Sequence, residues 1–456
     1  MHKFNTKNLM HIHFIAIGGA IMHQLAIALQ NKGYQITGSD DEITDPAKTN
    51  LANKGLLPEQ FGWFPEKLTK EIDAVILGMH AKGDNPEILR AKELGIPVYS
   101  FPEYIYEASK NKKRIVVAGS HGKTTTTSMI MHVLRDQSID FDYLVGAKVE
   151  GFELSVKISD APIIILEGDE YPASVLEKRP KIHFYHPHIS ILTGIAWDHV
   201  NVFPTYEFYK EQFAIYLCDM QPDSTLIYNA EDKEVVSLVM DEAKHLKQLP
   251  YATPTFKVEH DAVTLDTTEG KVSLQIFGAH NLQNMEAARK VCNSIGVDDA
   301  DFYKSIQTFT GAARRLEKIN ERDGFIAYRD FAHAPSKLNA TLNAVRERYP
   351  EHFLIACFEL HTFSSLSEQF LNQYQHSMDA CNKAAVFYSG HALELKGLPA
   401  LDINAVKSNF SNEALSVFNE KNALKQWIET TIETASKPVC LLLMSSGTFD
   451  GMGFEF

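Results

Sequence analysis

Apolar residues along this chain come in two rhythms, short unbroken runs and stretches with a three-to-four residue period. The run HIHFIAIGGAI (11–21) reads as a strand that meets Gly18-Gly19. The following MHQLAIALQNKGY (22–34) reads as a helix ended near Gly33. QITGSD (35–40), DAVILGM (73–79) and PVYSF (97–101) are further strands, giving the βαβ rhythm of a parallel sheet. A charged run, EASKNKKR (107–114), reads as a linker. After it come the strands RIVVA (114–118), APIIILEGDE (161–170) and ISILTGIAWDH (189–199) and the helix YEFYKEQFAIYL (206–217). A β-rich patch (256–278) and a helix from Asn281 to about Ser294 follow. A third alternating stretch has strands at GFIAYRDF (324–331), FLIACFEL (353–360), AAVFYS (384–389) and PVCLLLMSS (438–446), with helices between. No internal repeat or low-complexity tract interrupts the series.

Length sharpens this reading, since 456 residues correspond to about three domains of ~150 residues each. Composition adds little, with 45% hydrophobic and 22% charged residues. The net charge of −14 argues against general nucleic-acid binding but leaves room for a local basic pocket. Five cysteines without paired spacing suit a reducing compartment and give no disulfide framework or zinc site. The first residues lack the order of a secretory leader, and no apolar run approaches the ~20 residues of a spanning helix. The expectation is a cytoplasmic enzyme without membrane insertion; the oligomeric state stays open.

The strongest local chemistry lies in VAGSHGKTTTT (117–127). A strand runs into Gly119, Ser120, His121 and Gly122, and Lys123, Thr124 and Thr125 open a helix. Backbone N–H groups in such a turn close on phosphate oxygens. Lys123 then supplies charge to the outer phosphates and the Thr124 hydroxyl a ligand for Mg²⁺. The loop is compact, with two residues between its glycines where the common phosphate loop has four before its Gly-Lys pair. Two strand ends add carboxylates at the edge where open α/β sheets bind ligands: EGDE (167–170) and Asp198-His199. Glu167 suits Mg²⁺, which takes one or two carboxylates beside phosphate and water; His199 is a nitrogen ligand or a packed, capping histidine. In GAHNLQN (278–284), Asn281 either caps a helix or, with His280 and Asn284, reads a base edge. Arg314-Arg315 either reach a γ-phosphate from a domain boundary or lie in solvent. Asp330, His333 and His361 end strands of the third stretch.

Together these stretches, in this order, resemble the Mur ligase family. The short loop GSHGKTT (119–125), EGDE (167–170), the strand ending in DH (198–199), GAHNLQN (278–284), GAARR (311–315) and DFAHAP (330–335) correspond to its signatures. The resemblance covers nearly the whole chain. It implies an α/β fold of three domains: a Rossmann-like parallel sheet over 1–109, a P-loop-type ATPase domain with a small β-rich patch over 110–312, and a second Rossmann-like domain over 313–456. It implies an ATP- and Mg²⁺-dependent enzyme that phosphorylates the lactyl carboxylate of UDP-N-acetylmuramate and lets an amine displace the phosphate.

By that resemblance Lys123, Glu167, His199 and Arg315 are catalytic, and Thr124, Glu167 and His199 hold metal. The nucleotide is bound by residues 119–125, His280, Asn281, Asn284, Arg315 and Asp330. Gly18, Gly19, Ser39, Asp40 and Glu170 face the UDP-sugar, and His333 and His361 the amine substrate. Two branches differ in that amine. One adds L-alanine; the other adds a recycled tripeptide, L-Ala-γ-D-Glu-meso-diaminopimelate. GFELS (151–155), the tyrosine of EGDEY (167–171), LEKRPKIHFYHP (176–187) and MSSGTFDG (444–451) favour the peptide branch. The chain departs from relatives at Ala16 and Ile21, where glycines are common, at Ala334, and in ELHTFSS (359–365), which lacks an arginine. A dehydrogenase would leave the GKT loop unexplained, and a switch-type NTPase would leave the first domain and GAHNLQN without a role.

Overall fold

The computed structural model describes residues 10–79, 81–197, 199–259, 262–412 and 415–453. Three layered α/β domains follow one another along the chain. The first sheet has the strand order Gln35–Ser39, His11–Ile15, Ala74–Leu77, Val98–Ser100, all parallel. The second runs Lys247–Tyr251, Thr225–Asn229, Ile189–Leu192, Lys113–Ala118, Ile163–Glu167, Asp142–Leu144, Val156–Lys157, and only the last pairing is antiparallel. The β-rich patch is a three-stranded antiparallel sheet, Phe256–Glu259, Ala262–Thr267 and Gly270–Leu274. The last sheet runs Glu317–Arg322, Phe325–Asp330, Val439–Met444, Phe353–Leu360, Lys383–Tyr388, Leu415–Phe418. Its first strand, EKINER, is an antiparallel edge with no apolar alternation, which is why the sequence pattern does not reveal it.

Central strands such as Ile163–Glu167 and Val439–Met444 are continuous apolar runs because helices cover both faces of the sheet. The helix Lys123–Asp136 opens with four threonines, poor helix formers. Burial of Met129, Ile130, Met131, Val133 and Leu134 holds it against the sheet instead. No described helix is long and apolar enough to cross a membrane.

The expected linker at 107–114 is a correction. Helix Phe101–Ser109 occupies its first part, started by a capping box between Ser100 and Glu103. Two of its charges, Lys112 and Arg114, are buried, while Glu107, Lys110 and Lys113 are exposed. Lys112 Nζ donates to the carbonyls of Ser159 at 2.9 Å and Ala161 at 2.7 Å and pairs with Asp142. Arg114 donates to the carbonyls of Tyr185, His186 and Ser109. Through Ser109, Arg114 ties the last helix of the first domain to the second.

The third domain also packs on the second. Phe277 and Tyr328 meet edge to face at 5.6 Å, and the Arg348 guanidinium lies 4.6 Å over the Phe277 ring. Between these domains runs the segment GAARRLEK, in which Gly311, Arg314 and Leu316 all adopt positive φ. Two hydrogen bonds fix that conformation: Leu316 N–H donates to Asp330 at 2.7 Å and Arg314 N–H to Glu317 at 2.8 Å.

Candidate active site

Strand Lys113–Ala118 lies between Ile189–Leu192 and Ile163–Glu167 in parallel register, so three strands end at one edge. At that edge, residues 120–122, Glu167 and residues 193–196 with His199 form the floor of a cleft of about 400 Å³. Gly119 and Gly122 have φ of +119° and +75°, which glycine adopts without strain. An added Cβ on Gly119 would strike Thr193, and one on Gly122 would strike the Asn284 carboxamide. Gly122 offers no side-chain cap to helix Lys123–Asp136, so the first-turn N–H groups remain available to an anion.

Lys123 Nζ donates to Glu170 Oε2 at 2.7 Å and to the Gly119 carbonyl at 2.5 Å. Burial pulls its pKa down, but Glu170, Asp169 and Glu167 more than offset that, so the ammonium stays charged. Burial likewise pushes Asp169 up, yet Lys181 at 2.6 Å and Lys123 hold it at about 2. The Thr124 hydroxyl donates to Glu167 Oε1 at 2.8 Å, and Glu167 Oε2 accepts the Gly146 N–H at 2.8 Å. A hydroxyl and a carboxylate thus meet beside the phosphate loop. Among the described residues no group of three or more acidic, histidine or cysteine side chains gathers as a metal cage. Thr124 and Glu167 nevertheless match the sparse protein ligation Mg²⁺ accepts. His199, at φ +57°, has Nε2 3.8 Å from Glu170 Oε1 and its ring edge-on to Tyr171 at 5.2 Å. Asp198, the other half of that pair, lies outside the described residues.

The second wall is helix Ala279–Ser294. It begins two residues earlier than the sequence pattern suggests, with Gly278 as the N-cap, so Asn281 lies in the first turn rather than at the cap. Its Nδ2 donates to the Phe277 carbonyl at 3.0 Å, which ties that carboxamide to the backbone. Asn284 packs against Gly122, and His280, whose pKa burial lowers, lines the same cleft.

The third domain supplies the roof. Arg315 enters from the joining segment, its guanidinium 4.7 Å over the Phe331 ring. Burial lowers its pKa while Asp330 and Glu167 oppose that, and guanidinium stays protonated. Arg314 instead turns to the third domain, donating to the carbonyls of Ser445 and Gly447. Asp330 lines the cleft but spends its oxygens on the N–H groups of Leu316 and Ala332, both at 2.7 Å. His121 Nε2 and Ser336 Oγ, 2.6 Å apart, link the phosphate loop to the roof. His333 lines the cleft, its Nδ1 2.9 Å from the Phe331 carbonyl oxygen. His361 is not among the lining residues; it ends strand Phe353–Leu360 with Nδ1 3.7 Å from buried Glu359.

Glu170, expected on the UDP-sugar side, follows strand Ile163–Glu167 and accepts from Lys123 of the phosphate loop. The other four residues expected there gather in the first domain. Gly18 N–H donates to Asp40 Oδ2 at 2.7 Å, and a Cβ on Gly18 would press on Asp40 and Ile43. Burial pushes Asp40 up. Ser39 is buried and accepts from Lys67 at 3.4 Å; Gly19 closes the turn on the Ala16 carbonyl at 3.4 Å. Ala16 itself has φ +65°, a conformation glycine adopts more readily than alanine.

Sequence reasoning missed Asn229, Asp232, Gln283, Ser336 and Lys337, all of which line the cleft. Asn229 ends strand Thr225–Asn229 and Asp232 caps helix Lys233–Glu242 while accepting the Ile195 N–H. The same strand-end rule applied to TLIYNAED (225–232) points to both. A larger cavity of about 740 Å³ lies on the far side of the joining segment and contains none of the phosphate loop.

A phosphate loop floored by carboxylates, roofed by an arginine from another α/β domain and preceded by a second glycine turn defines a multidomain nucleotide-dependent enzyme. Family models identify which one. The Mur ligase middle domain matches residues 117–292, and the Mur ligase family catalytic domain matches residues 11–113. The UDP-N-acetylmuramate–L-alanine ligase of Carboxydothermus hydrogenoformans is 30% identical over 79% of this chain and 78% of its own length. That of Caldicellulosiruptor saccharolyticus is 30% identical over 85% and 86%. Among solved structures, a UDP-N-acetylmuramate–alanine ligase from Thermotoga maritima aligns with TM-score 0.70 at 20% identity, covering 97% of both chains. A murein peptide ligase from Psychrobacter arcticus aligns with TM-score 0.65 at 23% identity, again covering 97% of both. The chain belongs to the Mur ligase family. It is an ATP-dependent amide-forming ligase of peptidoglycan synthesis.

Proposed function

We propose that this ligase activates the lactyl carboxylate of UDP-N-acetylmuramate with ATP and joins it to the amine of L-alanine. The observation that carries the reading is the convergence of Lys123, Thr124 with Glu167, and Arg315 on one cleft. A carboxylate does not accept an amine because its oxygen is a poor leaving group. The carboxylate oxygen therefore attacks the γ-phosphorus, giving an acyl phosphate and ADP. The amine, deprotonated, then attacks the acyl carbon and expels phosphate. Lys123, the loop N–H groups and Arg315 orient and neutralise the transferring group, so catalysis is mainly positioning and charge stabilisation. Thr124 and Glu167 would hold Mg²⁺, and His199 would serve a second ion; the metal supplies further neutralisation of phosphate charge. Gly18, Gly19, Ser39 and Asp40 would take the uridine diphosphate, and His333, with His361 outside the cleft, would face the amine.

L-alanine is the amine named in the relatives that are 30% identical. A second reading, a peptide with N-terminal L-alanine, is supported by a different observation. Free L-alanine carries a carboxylate beside its amine, whereas the peptide carries an amide there. HTFSS (361–365) offers no guanidinium, the neighbouring Glu359 is a buried acid, and Arg314 is engaged by carbonyls. Tyr171, whose hydroxyl accepts from Asn201 at 2.9 Å, adds the tyrosine typical of that branch. A coupled phosphate-release assay with UDP-N-acetylmuramate decides. Higher kcat/KM with L-alanine supports the first reading. Higher kcat/KM with L-Ala-γ-D-Glu-meso-diaminopimelate replaces it with the second.

A further inference from the structure

We propose that the Tyr209 phenol is a positioning group for Lys123, acting through Glu170; the inference deepens the ligase reading and rests on Lys123 serving the ATP phosphates. Tyr209 lies on helix Tyr206–Cys218, fully buried between Phe203 and Phe213, whose rings meet it edge-on at 5.2 Å and 5.3 Å. A phenylalanine would fill that aromatic pocket equally well. The hydroxyl is what differs, and it sits at the centre of a buried polar chain.

One order of donors satisfies every member of that chain. Ala196 N–H donates to Ser120 Oγ at 2.8 Å. In that order the Ser120 hydroxyl, which also lies 3.3 Å from the Gly194 carbonyl, donates to the nearer Tyr209 oxygen at 2.9 Å. The Tyr209 hydroxyl donates to Glu170 Oε1 at 3.0 Å. Glu170 Oε2 accepts from Lys123 Nζ at 2.7 Å. The chain thus runs from the loop after strand Ile189–Leu192, through the phosphate loop, to the lysine. Glu170 is 1% exposed, so its carboxylate depends on these donors in place of water. Removing the phenol hydroxyl leaves Glu170 Oε1 facing His199 Nε2 at 3.8 Å. The carboxylate is then free to rotate toward the histidine and carry Lys123 out of line with the phosphates.

The test compares Tyr209→Phe, Glu170→Gln and the double variant with the unsubstituted protein. AMP-PNP affinity is read by calorimetry, ATP turnover by phosphate release, and fold integrity by thermal melting. A hydrogen bond to a charged group predicts about tenfold weaker AMP-PNP binding in Tyr209→Phe, with the KM for UDP-N-acetylmuramate unchanged. Because the phenol acts through Glu170, the double variant binds no more weakly than Glu170→Gln alone. A Tyr209→Phe protein that melts earlier yet keeps AMP-PNP affinity and kcat within about twofold has lost packing only, and overturns the proposal. Multiplicative effects of the two substitutions overturn it as well. If the unsubstituted protein binds AMP-PNP but turns over no UDP-N-acetylmuramate, the ligase reading fails while the effect of the phenol on nucleotide affinity remains measurable. An unsubstituted protein that binds no AMP-PNP overturns both.

Discussion

Lys123→Ala removes ligase turnover while UDP-sugar binding persists. Removing one preorganised donor to a transition-state charge lowers kcat by about 10²- to 10³-fold, and Lys123 is the cation of the phosphate loop itself. The loss extends beyond the missing charge. Glu170, Asp169 and Glu167 surround the ammonium and together hold its pKa above the ordinary lysine value. Without it their charges face the incoming phosphates with less compensation. The first-domain turn at Gly18 and Asp40 shares no hydrogen bond with Lys123, so titration with the UDP-sugar alone gives the unsubstituted affinity. Turnover within a few-fold of the unsubstituted protein would remove Lys123 from the phosphate role.

Glu167→Gln is expected to have the second-largest effect. The substitution keeps the side-chain volume but replaces one acceptor oxygen by an NH₂ donor. Both Glu167 oxygens already accept, one from the Thr124 hydroxyl and one from the Gly146 N–H. The carboxamide therefore places a donor against a donor on one side, and the charge that would attract Mg²⁺ disappears. Phosphate release measured across a Mg²⁺ titration should show the half-saturating concentration rising at least about tenfold and kcat falling by about 10²-fold. An unchanged Mg²⁺ requirement would detach Glu167 from the metal.

Much of this arrangement is legible in the sequence because it follows from strand ends. Unbroken apolar runs such as IIILE and VCLLLM announce buried parallel strands, and the polar residues just after them become the floor of the cleft. The loop at 119–122 declares itself through two glycines that the backbone requires at positive φ. Less legible are features decided by tertiary partners. Lys112 and Arg114 look like a solvated linker, yet distant carbonyls bury them. Asn281 looks like a cap, but Gly278 takes that position and leaves the carboxamide to the Phe277 carbonyl. Glu170 is adjacent in sequence to residues that face several directions, and only the fold shows that it turns to Lys123. Tyr209 is indistinguishable in the pattern from the aromatic core residues around it.

The central claim is that ATP activates the carboxylate itself, and isotope transfer tests it most directly. UDP-N-acetylmuramate labelled with ¹⁸O in its lactyl carboxylate is turned over with ATP and the preferred amine, and the released phosphate is examined by mass spectrometry. Attack of the carboxylate on the γ-phosphorus, followed by expulsion of phosphate from the acyl carbon, leaves one labelled oxygen in each phosphate. Phosphate free of label, with amide formed at the normal rate, would contradict the acyl-phosphate route.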